Sequence, residues 1–220
     1  MNGKFNLLMQ IDASIKNIIF DFGGVILNID YKLTENAFAK LGLSEFDTIY
    51  SQATQKELFD VFEKGLISSA DFRREIKKFI NESVSDLHID EAWNAMLLDL
   101  PEERIQLLSK LKKIYRIFLL SNTNEIHFKT FSAYMQNKFN KDIFSDLFDK
   151  AYFSHKVKMR KPEAEIFELV LKENNLRKDE TLFIDDSIQH IEGAKKIGLK
   201  TIFLQNGKTI LDVFNLKLET

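Results

Sequence analysis

Cysteine is absent from this chain of 220 residues, and proline occurs only twice. The lack of cysteine excludes a disulfide framework, a thiolate nucleophile and a cysteine-ligated zinc or iron–sulfur site. No apolar run approaches the ~18–20 residues of a membrane-spanning helix, so we expect no membrane partner. The first residues also lack the pattern of a secretory signal peptide, and we therefore expect a cytoplasmic protein.

An excess of charge of one sign is also absent. The chain has 31 lysines and arginines against 33 aspartates and glutamates, which gives a formal net charge of −2. This balance provides no electrostatic basis for binding nucleic acid, which we do not expect as a partner. The length fits one large domain or one domain with an insertion, because a domain typically takes about 100–200 residues. No feature of the sequence specifies an oligomeric state.

Short apolar runs predict a mostly parallel β-sheet. They lie at residues 18–20, 117–120, 182–184 and 201–204, with a further extended piece at 152–154. Amphipathic helical patterns separate them, and Pro101 and Pro162 each open such a pattern. Continuous apolar runs that alternate with helices are typical of strands buried on both faces. We therefore predict a doubly wound α/β core over residues 15–30 and 101–220.

Residues 31–100 interrupt this alternation with apolar positions at helical spacing and no strand pattern. Ser68 and Asp71 resemble a capping box at a helix start. Four phenylalanines of the block have helical spacing and are predicted to be core residues, namely Phe59, Phe62, Phe72 and Phe79. We interpret the block as an all-helical insertion after the first strand. That position lies at the edge where open α/β sheets bind ligands, so the insertion is a candidate lid.

Polar clusters follow the apolar runs at four places. They are Asp21 with Gly23 and Gly24, Ser121 with Asn122, Lys161 before Pro162, and the pair Asp185 and Asp186. Each cluster alone is also explained by ordinary turn and helix-cap chemistry. In a parallel sheet, however, all four converge on one edge. Carboxylates, a hydroxyl, backbone amides and a lysine at one edge predict a site for Mg²⁺ and a phosphoryl group.

In this order along the chain, the four clusters resemble the motifs of the haloacid dehalogenase (HAD) superfamily of phosphohydrolases. The resemblance extends from residue 15 to residue 204 and includes a helical cap of the first type. It implies a Rossmann-like core, an Mg²⁺ cofactor and a small phosphorylated metabolite as substrate, such as a sugar phosphate. Asp21 would be the nucleophile that forms an aspartyl-phosphate. Ser121 and the amide of Asn122 would bind phosphoryl oxygens, and Lys161 would neutralise the nucleophile and the phosphate.

The same resemblance implies the metal ligands. Asp21 and Asp186 would bind Mg²⁺ directly, Asp185 would bind it directly or through water, and Gly23 would offer its backbone carbonyl. Gly23 is also a departure from the family, which usually has there a second aspartate that protonates the leaving group. General acid–base catalysis is typically worth about 10²–10⁴-fold in rate. The DFGGV form resembles the branch that includes the bacterial α-D-glucose-1-phosphate phosphatases, where this aspartate is also absent.

The glycine leaves several functions open. A phosphatase would need a substrate with a good leaving group, or a substitute acid such as Asp30 or a side chain of the cap. A 2-haloacid dehalogenase also lacks the second aspartate, but it needs no metal, and the acidic pair argues against it. A catalytically silent binding protein is the third alternative. His190 either hydrogen-bonds Lys161 or an acid, or is a solvated helix residue; His88, His127 and His155 are expected at the surface.

Overall fold

The computed structural model describes residues 11–43, 53–80, 83–140, 142–205 and 207–214. Within them, five parallel strands form one sheet in the order β3-β2-β1-β4-β5. The strands are β1 Asn17–Phe20, β2 Arg116–Ser121, β3 Lys150–Phe153, β4 Thr181–Asp185 and β5 Lys200–Phe203. The predicted parallel sheet is confirmed. The extended piece predicted at 152–154 ends one residue earlier, since Ser154 already begins a helix.

Both faces of the sheet are buried. Side chains alternate between the faces along a strand, so Ile18 and Phe20 of β1 join one hydrophobic cluster and Ile19 joins the other. Strands β2 and β4 flank β1 and follow the same alternation, with Ile18 opposite Ile117 on one side and Leu182 on the other. This two-sided burial explains why the strands read as continuous apolar runs in the sequence.

The helices are the regular elements that the structure describes in the insertion, and turns and loops connect them. Its helices are α1 Tyr31–Lys40, α2 Ala53–Glu63, α3 Ser69–Lys77 and α4 Asp86–Asn94. The capping box predicted at Ser68 is present, with the Ser68 hydroxyl accepting from the Asp71 amide at 3.1 Å. Phe59, Phe62 and Phe72 are buried, as predicted. Phe79 is 39% exposed, and its predicted place in the core is wrong because it lies in the turn beyond α3.

The remaining helices cover the sheet. They are α5 Glu102–Leu111, α6 Glu125–Phe139, α7 Ile143–Leu147, α8 Ser154–Val157, α9 Ala164–Asn174, α10 Ile188–Lys196 and α11 Ile210–Val213. None of the helices that the structure describes is long and apolar enough to cross a membrane. The insertion has a hydrophobic cluster of its own, which also takes in Ile126 of α6. The division into a core and a cap at residues 31–100 stays a prediction, and this cluster supports it.

The strand order places the site. From β1 the chain builds β2 and β3 on one side, and then returns to build β4 and β5 on the other. The crevice beyond the carboxyl ends of β1 and β4 is the point where the strand order reverses, which is where open α/β sheets bind ligands. The insertion follows β1 after the loop of residues 21–30, which starts at this crevice.

Candidate active site

Three of the predicted site residues lie at the carboxyl ends of the central strands. Asp21 follows β1, Ser121 is the last residue of β2 and Asp185 is the last residue of β4. The backbone amide of Asp21 donates to the carbonyl of Ile184 at 2.9 Å and so continues the pairing of β1 with β4. This bond holds the backbone beneath the Asp21 carboxylate in the frame of the sheet.

Lys161 lies between two carboxylates. Its Nζ is 2.6 Å from Oδ1 of Asp21 and 2.7 Å from Oδ2 of Asp185, and its side chain is fully buried. Asn122 holds the backbone of the lysine at two points. Its Nδ2 donates to the Lys161 carbonyl at 2.9 Å, and the Lys161 amide donates to its Oδ1 at 2.9 Å. The Asn122 side chain therefore fixes the segment that carries the lysine.

Three carboxylates meet at this place. Asp21, Asp185 and Asp186 each offer an oxygen, and these oxygens lie within 4.8 Å of one another. Hard carboxylate oxygens are the ligands that Mg²⁺ takes in proteins. One buried lysine compensates only part of the negative charge of three acids. Both the donor type and the remaining charge fit a divalent cation.

The electrostatics of the cluster follow from burial and from this charge balance. Burial raises the pKa of Asp21 to about 7, and the ammonium of Lys161 acts against that rise. Burial and the charge of Asp185 raise the pKa of Asp186 to about 6. Burial also favours the neutral form of Asp185, but Lys161 and His190 outweigh it and lower the pKa of that carboxyl. Burial disfavours the charged Lys161, whose pKa the two carboxylates nevertheless raise.

His190 contacts an acid and not the lysine. Its Nδ1 lies 3.0–3.1 Å from the two carboxylate oxygens of Asp185, and its Nε2 is 3.5 Å from Nδ2 of Asn122. Of the alternatives considered from the sequence, the hydrogen bond to an acid is the one that the structure contains. The amide of Ser187 also donates to Asp185, at 2.7 Å. Asp185 is therefore held from three sides.

A cavity of about 480 Å³ opens above the carboxylates. Asp21, Gly23, Ser121, Asn122 and Asp186 line its floor, and all of these were predicted site residues. Residues that were not predicted as site residues complete the wall, among them Tyr31, Thr34, Glu35, Glu63, Trp93, Met96, Leu97, Thr123, His127 and Arg160. The volume is in the range of pockets that bind small molecules. Ser121 is buried, and among the described residues its hydroxyl hydrogen-bonds only the Asn122 carbonyl, at 3.4 Å.

Asp30 is not part of this wall. Its carboxylate accepts a hydrogen bond from the Lys32 amide at 3.0 Å and caps α1, and the residue does not line the cavity. The structure thus gives Asp30 a capping role and no place beside Asp21. At Gly23 itself, an added Cβ would meet the side chain of Ile29 at 3.4 Å. An apolar side chain therefore lies beside the position where the family usually has an acid.

The expectation that His127 lies at the surface is wrong. It is 7% exposed, its Nε2 lies 2.9 Å from the Trp93 carbonyl, and its ring stacks on the Trp93 ring at 4.9 Å. His88 is exposed as expected, and His155 is half-buried. The sequence does contain a signal for His127, because Phe131 and Met135 follow it at intervals of four and share its buried helix face.

Sequence reasoning also missed the contact between the cap and the core beside Lys161. Arg160 donates from Nε and Nη2 to Oε2 of Glu63 at 2.9 and 2.8 Å, and Nη1 lies 3.0 Å from Asp60. Lys64 pairs with Glu163 at 2.5 Å nearby. No local pattern identifies these pairs, since they depend on how α2 packs on the core.

Comparison with known proteins identifies the family. A model described as haloacid dehalogenase-like hydrolase matches residues 15–198, and the chain therefore belongs to the haloacid dehalogenase-like hydrolases. It is 33% identical to a D-ribitol-5-phosphate phosphatase of Bacteroides thetaiotaomicron over 88% of this chain and 93% of that protein. The resemblance inferred from the four clusters is confirmed, and so is the classification as a hydrolase.

Two solved structures are similar over nearly their whole length. One is a HAD family enzyme from Bacteroides thetaiotaomicron in complex with magnesium and inorganic phosphate, with a TM-score of 0.78 and 39% identity, covering 88% of this chain and 96% of that one. The other is a HAD-like family hydrolase from Porphyromonas gingivalis, with a TM-score of 0.82 and 26% identity. The match covers 94% of this chain and 100% of that one. Both agree with the α/β fold of this chain.

Proposed function

We propose that this protein is a Mg²⁺-dependent phosphatase that hydrolyses a small phosphorylated metabolite, a polyol or sugar phosphate. The observation that carries the proposal is the group of three carboxylates around Lys161 at the floor of a cavity of ligand size. The D-ribitol-5-phosphate phosphatase to which the chain is similar supports this substrate class. The related structure with magnesium and inorganic phosphate supports the cofactor.

In this proposal, Asp21 is the nucleophile. Its carboxylate attacks phosphorus, the ester oxygen leaves, and the resulting aspartyl-phosphate is hydrolysed by water. Lys161 offsets the repulsion between the carboxylate and the phosphoryl group, both of which are anions. The Ser121 hydroxyl and the backbone amide of Asn122 donate to phosphoryl oxygens, whose charge grows in the transition state. The Asn122 side chain keeps Lys161 in place.

Asp21, Asp186 and the backbone carbonyl of Gly23 would hold Mg²⁺, with Asp185 as a direct ligand or as a partner through water. When bound, the ion supplies positive charge that stabilises the phosphoryl oxygens in the transition state. Asp185 also orients Lys161, because it accepts a second hydrogen bond from Nζ, at 2.7 Å. The cap closes over the floor and excludes bulk water from the phosphoryl group.

The test is phosphate release from D-ribitol 5-phosphate and a panel of sugar phosphates, with Mg²⁺ and with excess EDTA. We expect release with Mg²⁺ and its loss in EDTA. Chloride release from 2-chloropropionate that EDTA leaves unchanged would show a haloacid dehalogenase instead. Absence of phosphate release from every ester would favour a silent binding protein and contradict the proposal.

The nucleophile is tested by Asp21→Asn. The amide keeps the shape of the side chain but is a poor nucleophile, so turnover should fall by roughly 10⁴-fold or more while the melting temperature changes little. Asp30→Asn is the matched control, because asparagine also caps helices and Asp30 does not line the cavity. The control should keep its turnover. Loss of turnover in Asp30→Asn would instead mean that Asp30 replaces the missing acid.

A further inference from the structure

A residue of the cap that lines the cavity carries a buried hydrogen-bond donor without an acceptor in the part of the chain that the structure describes. Trp93 lines the cavity, is 5% exposed, and its Nε1 has no hydrogen-bond partner among the described residues. Its ring is held by near-parallel stacking on Phe59 at 5.2 Å and on His127 at 4.9 Å. A buried donor without an acceptor is costly, and buried polar groups normally have partners. An oxygen of a bound ligand would supply the acceptor that the folded chain lacks.

The charges on the same wall are arranged to disfavour a second anion. Among the described residues that line the cavity, Arg160 is the only lysine or arginine. Its guanidinium is already occupied by the carboxylates of Glu63 and Asp60, at 2.8–3.0 Å. Glu35 adds a further carboxylate to the wall. The phosphoryl group would face the metal site at the floor, with Lys161 beneath it, but an anionic group elsewhere on the substrate would meet no free lysine or arginine among the described residues that line the cavity.

We infer that the cap wall selects a leaving group that is uncharged and bears hydroxyls. The Trp93 indole N–H donates to one hydroxyl oxygen, and Glu63, held by Arg160, excludes leaving groups that carry a carboxylate. The inference rests on the proposed phosphatase function and adds the residues that determine its specificity. Uncharged polyols fit both features, because each hydroxyl can accept from the indole and donate to a carboxylate.

Three phosphate esters of equal chain length separate these features. D-Ribitol 5-phosphate has uncharged hydroxyls, pentyl phosphate has none, and 5-phospho-D-ribonate has hydroxyls and a terminal carboxylate. We expect kcat/KM for the ribitol ester to exceed that of the other two by about tenfold or more, because a site built to bind a hydroxyl discriminates strongly against its absence. Equal values for all three esters would overturn the inference while leaving the phosphatase function intact.

Trp93→Phe removes the donor and keeps an aromatic ring for stacking. For D-ribitol 5-phosphate, kcat/KM should fall roughly five- to tenfold, the usual effect of one lost hydrogen bond, while pentyl phosphate is unaffected. Phe72→Leu is the packing control, since the Phe72 ring lies 5.2 Å from Trp93 and does not line the cavity. Phe72→Leu should change kcat/KM by the same factor for both esters. If Trp93→Phe lowered kcat/KM equally for both esters, Trp93 would have a packing role, and its proposed role as a hydrogen-bond donor to the substrate would be overturned.

Glu63→Gln keeps the size of the side chain and removes its charge. Arg160 then has one charged partner fewer, so kcat/KM for 5-phospho-D-ribonate should rise about tenfold relative to D-ribitol 5-phosphate. Lys64→Met is the matched control, because it breaks the Lys64–Glu163 pair between cap and core, and neither residue lines the cavity. The role of Glu63 in excluding carboxylates would be overturned if Glu63→Gln left the ratio of kcat/KM for the two esters unchanged. It would also be overturned if Lys64→Met shifted that ratio by the same amount.

A binding measurement tests the donor without turnover. Trp93 is the single tryptophan of the chain, so the intrinsic tryptophan fluorescence reports on this wall. In the Asp21→Asn variant with Mg²⁺, D-ribitol 5-phosphate should shift the emission to longer wavelength, as expected when the indole N–H gains an acceptor. Pentyl phosphate should bind without that shift. The same emission with both esters, or no binding of the ribitol ester, would overturn the inference even if no ester is hydrolysed.

Discussion

The ammonium of Lys161 lies 2.6 Å from a carboxylate oxygen of Asp21 and has no solvent-exposed surface. Burial favours the protonated carboxyl, which cannot act as a nucleophile, and the pKa of Asp21 is raised to about 7 even with Lys161 beside it. The lysine opposes this rise by stabilising the carboxylate. The pair therefore has a chemical consequence, because Lys161 makes the ionised, nucleophilic form of Asp21 more populated than burial alone would allow.

Lys161→Met should be strongly destabilising as well as inactive. Removing the ammonium leaves Asp21 and Asp185 buried without their cation, and breaking such a buried pair typically costs about 3–5 kcal/mol. Urea unfolding measures this loss. Lys64→Met removes a partly exposed ion pair and should cost about 0–1 kcal/mol. Equal stability of the two variants would show that the carboxylates do not depend on Lys161.

Gly24 allows the Asp186 carboxylate to lie against the backbone of the first loop. Its φ is +78°, and a Cβ placed there would overlap the Asp186 carboxyl group. Gly24→Ala should therefore displace Asp186 and reduce Mg²⁺-dependent activity by at least about 100-fold, a loss typical of a misplaced active-site group. Phosphate release over a range of Mg²⁺ concentrations measures it.

Gly42→Ala separates backbone strain from displacement of the carboxylate. Gly42 also has a positive φ, +99°, but an added Cβ would meet nothing within 4 Å. Both variants should lose about 1–2 kcal/mol of stability from the left-handed backbone, and only Gly24→Ala should lose activity. Normal Mg²⁺ dependence in Gly24→Ala would contradict the placement of Asp186 at the metal.

The residues at the floor of the site could be predicted from the sequence, whereas the cap residues of the cavity wall could not. Asp21, Ser121 and Asp185 stand at the ends of apolar runs, and parallel strands bring such ends to one edge. Trp93 and Glu63 belong to amphipathic helices of the cap. A helical pattern shows which face is buried, but it does not show which other element covers that face. The cavity wall depends on the packing of cap on core, to which the pairing of Glu63 with Arg160 contributes.

Gly23→Asp should restore a general acid. A Cβ at Gly23 would meet only the Ile29 side chain, at 3.4 and 3.7 Å, so the position has room for a side chain. We expect kcat for an alkyl phosphate such as D-ribitol 5-phosphate to rise about tenfold or more, because its alkoxide needs a proton. For p-nitrophenyl phosphate, whose leaving group is a weak base, the gain should be small.

Gly23→Asn is the control for this gain. Asparagine has the size of aspartate but transfers no proton, so it should not accelerate either ester. Steady-state kcat values for both esters decide the matter. If Gly23→Asp and Gly23→Asn behaved alike, the leaving group would already receive its proton from elsewhere in the site, and the glycine would not limit the rate.

His127 should make the stability of the protein depend on pH. Burial lowers the pKa of His127 to about 4, and this effect outweighs the hydrogen bond to the Trp93 carbonyl, which favours the charged ring. The unfolded chain has an ordinary histidine with a pKa of about 6.5, so between pH 6.5 and 4 unfolding takes up a proton. The contribution of His127 is complete above pH 6.5 and is lost as the pH falls toward 4, by up to about 3 kcal/mol.

Urea unfolding of the parent and of His127→Gln from pH 7.5 to 4.5 measures this effect. At pH 7.5 the variant should be less stable, since it loses the ring stacking on Trp93. The difference in unfolding free energy should then shrink as the pH falls, because only the parent loses the contribution of a buried neutral ring. His88→Gln is the control at an exposed position and should differ from the parent by the same amount at every pH. A difference between parent and His127→Gln that stays constant would mean that the buried ring is protonated without cost.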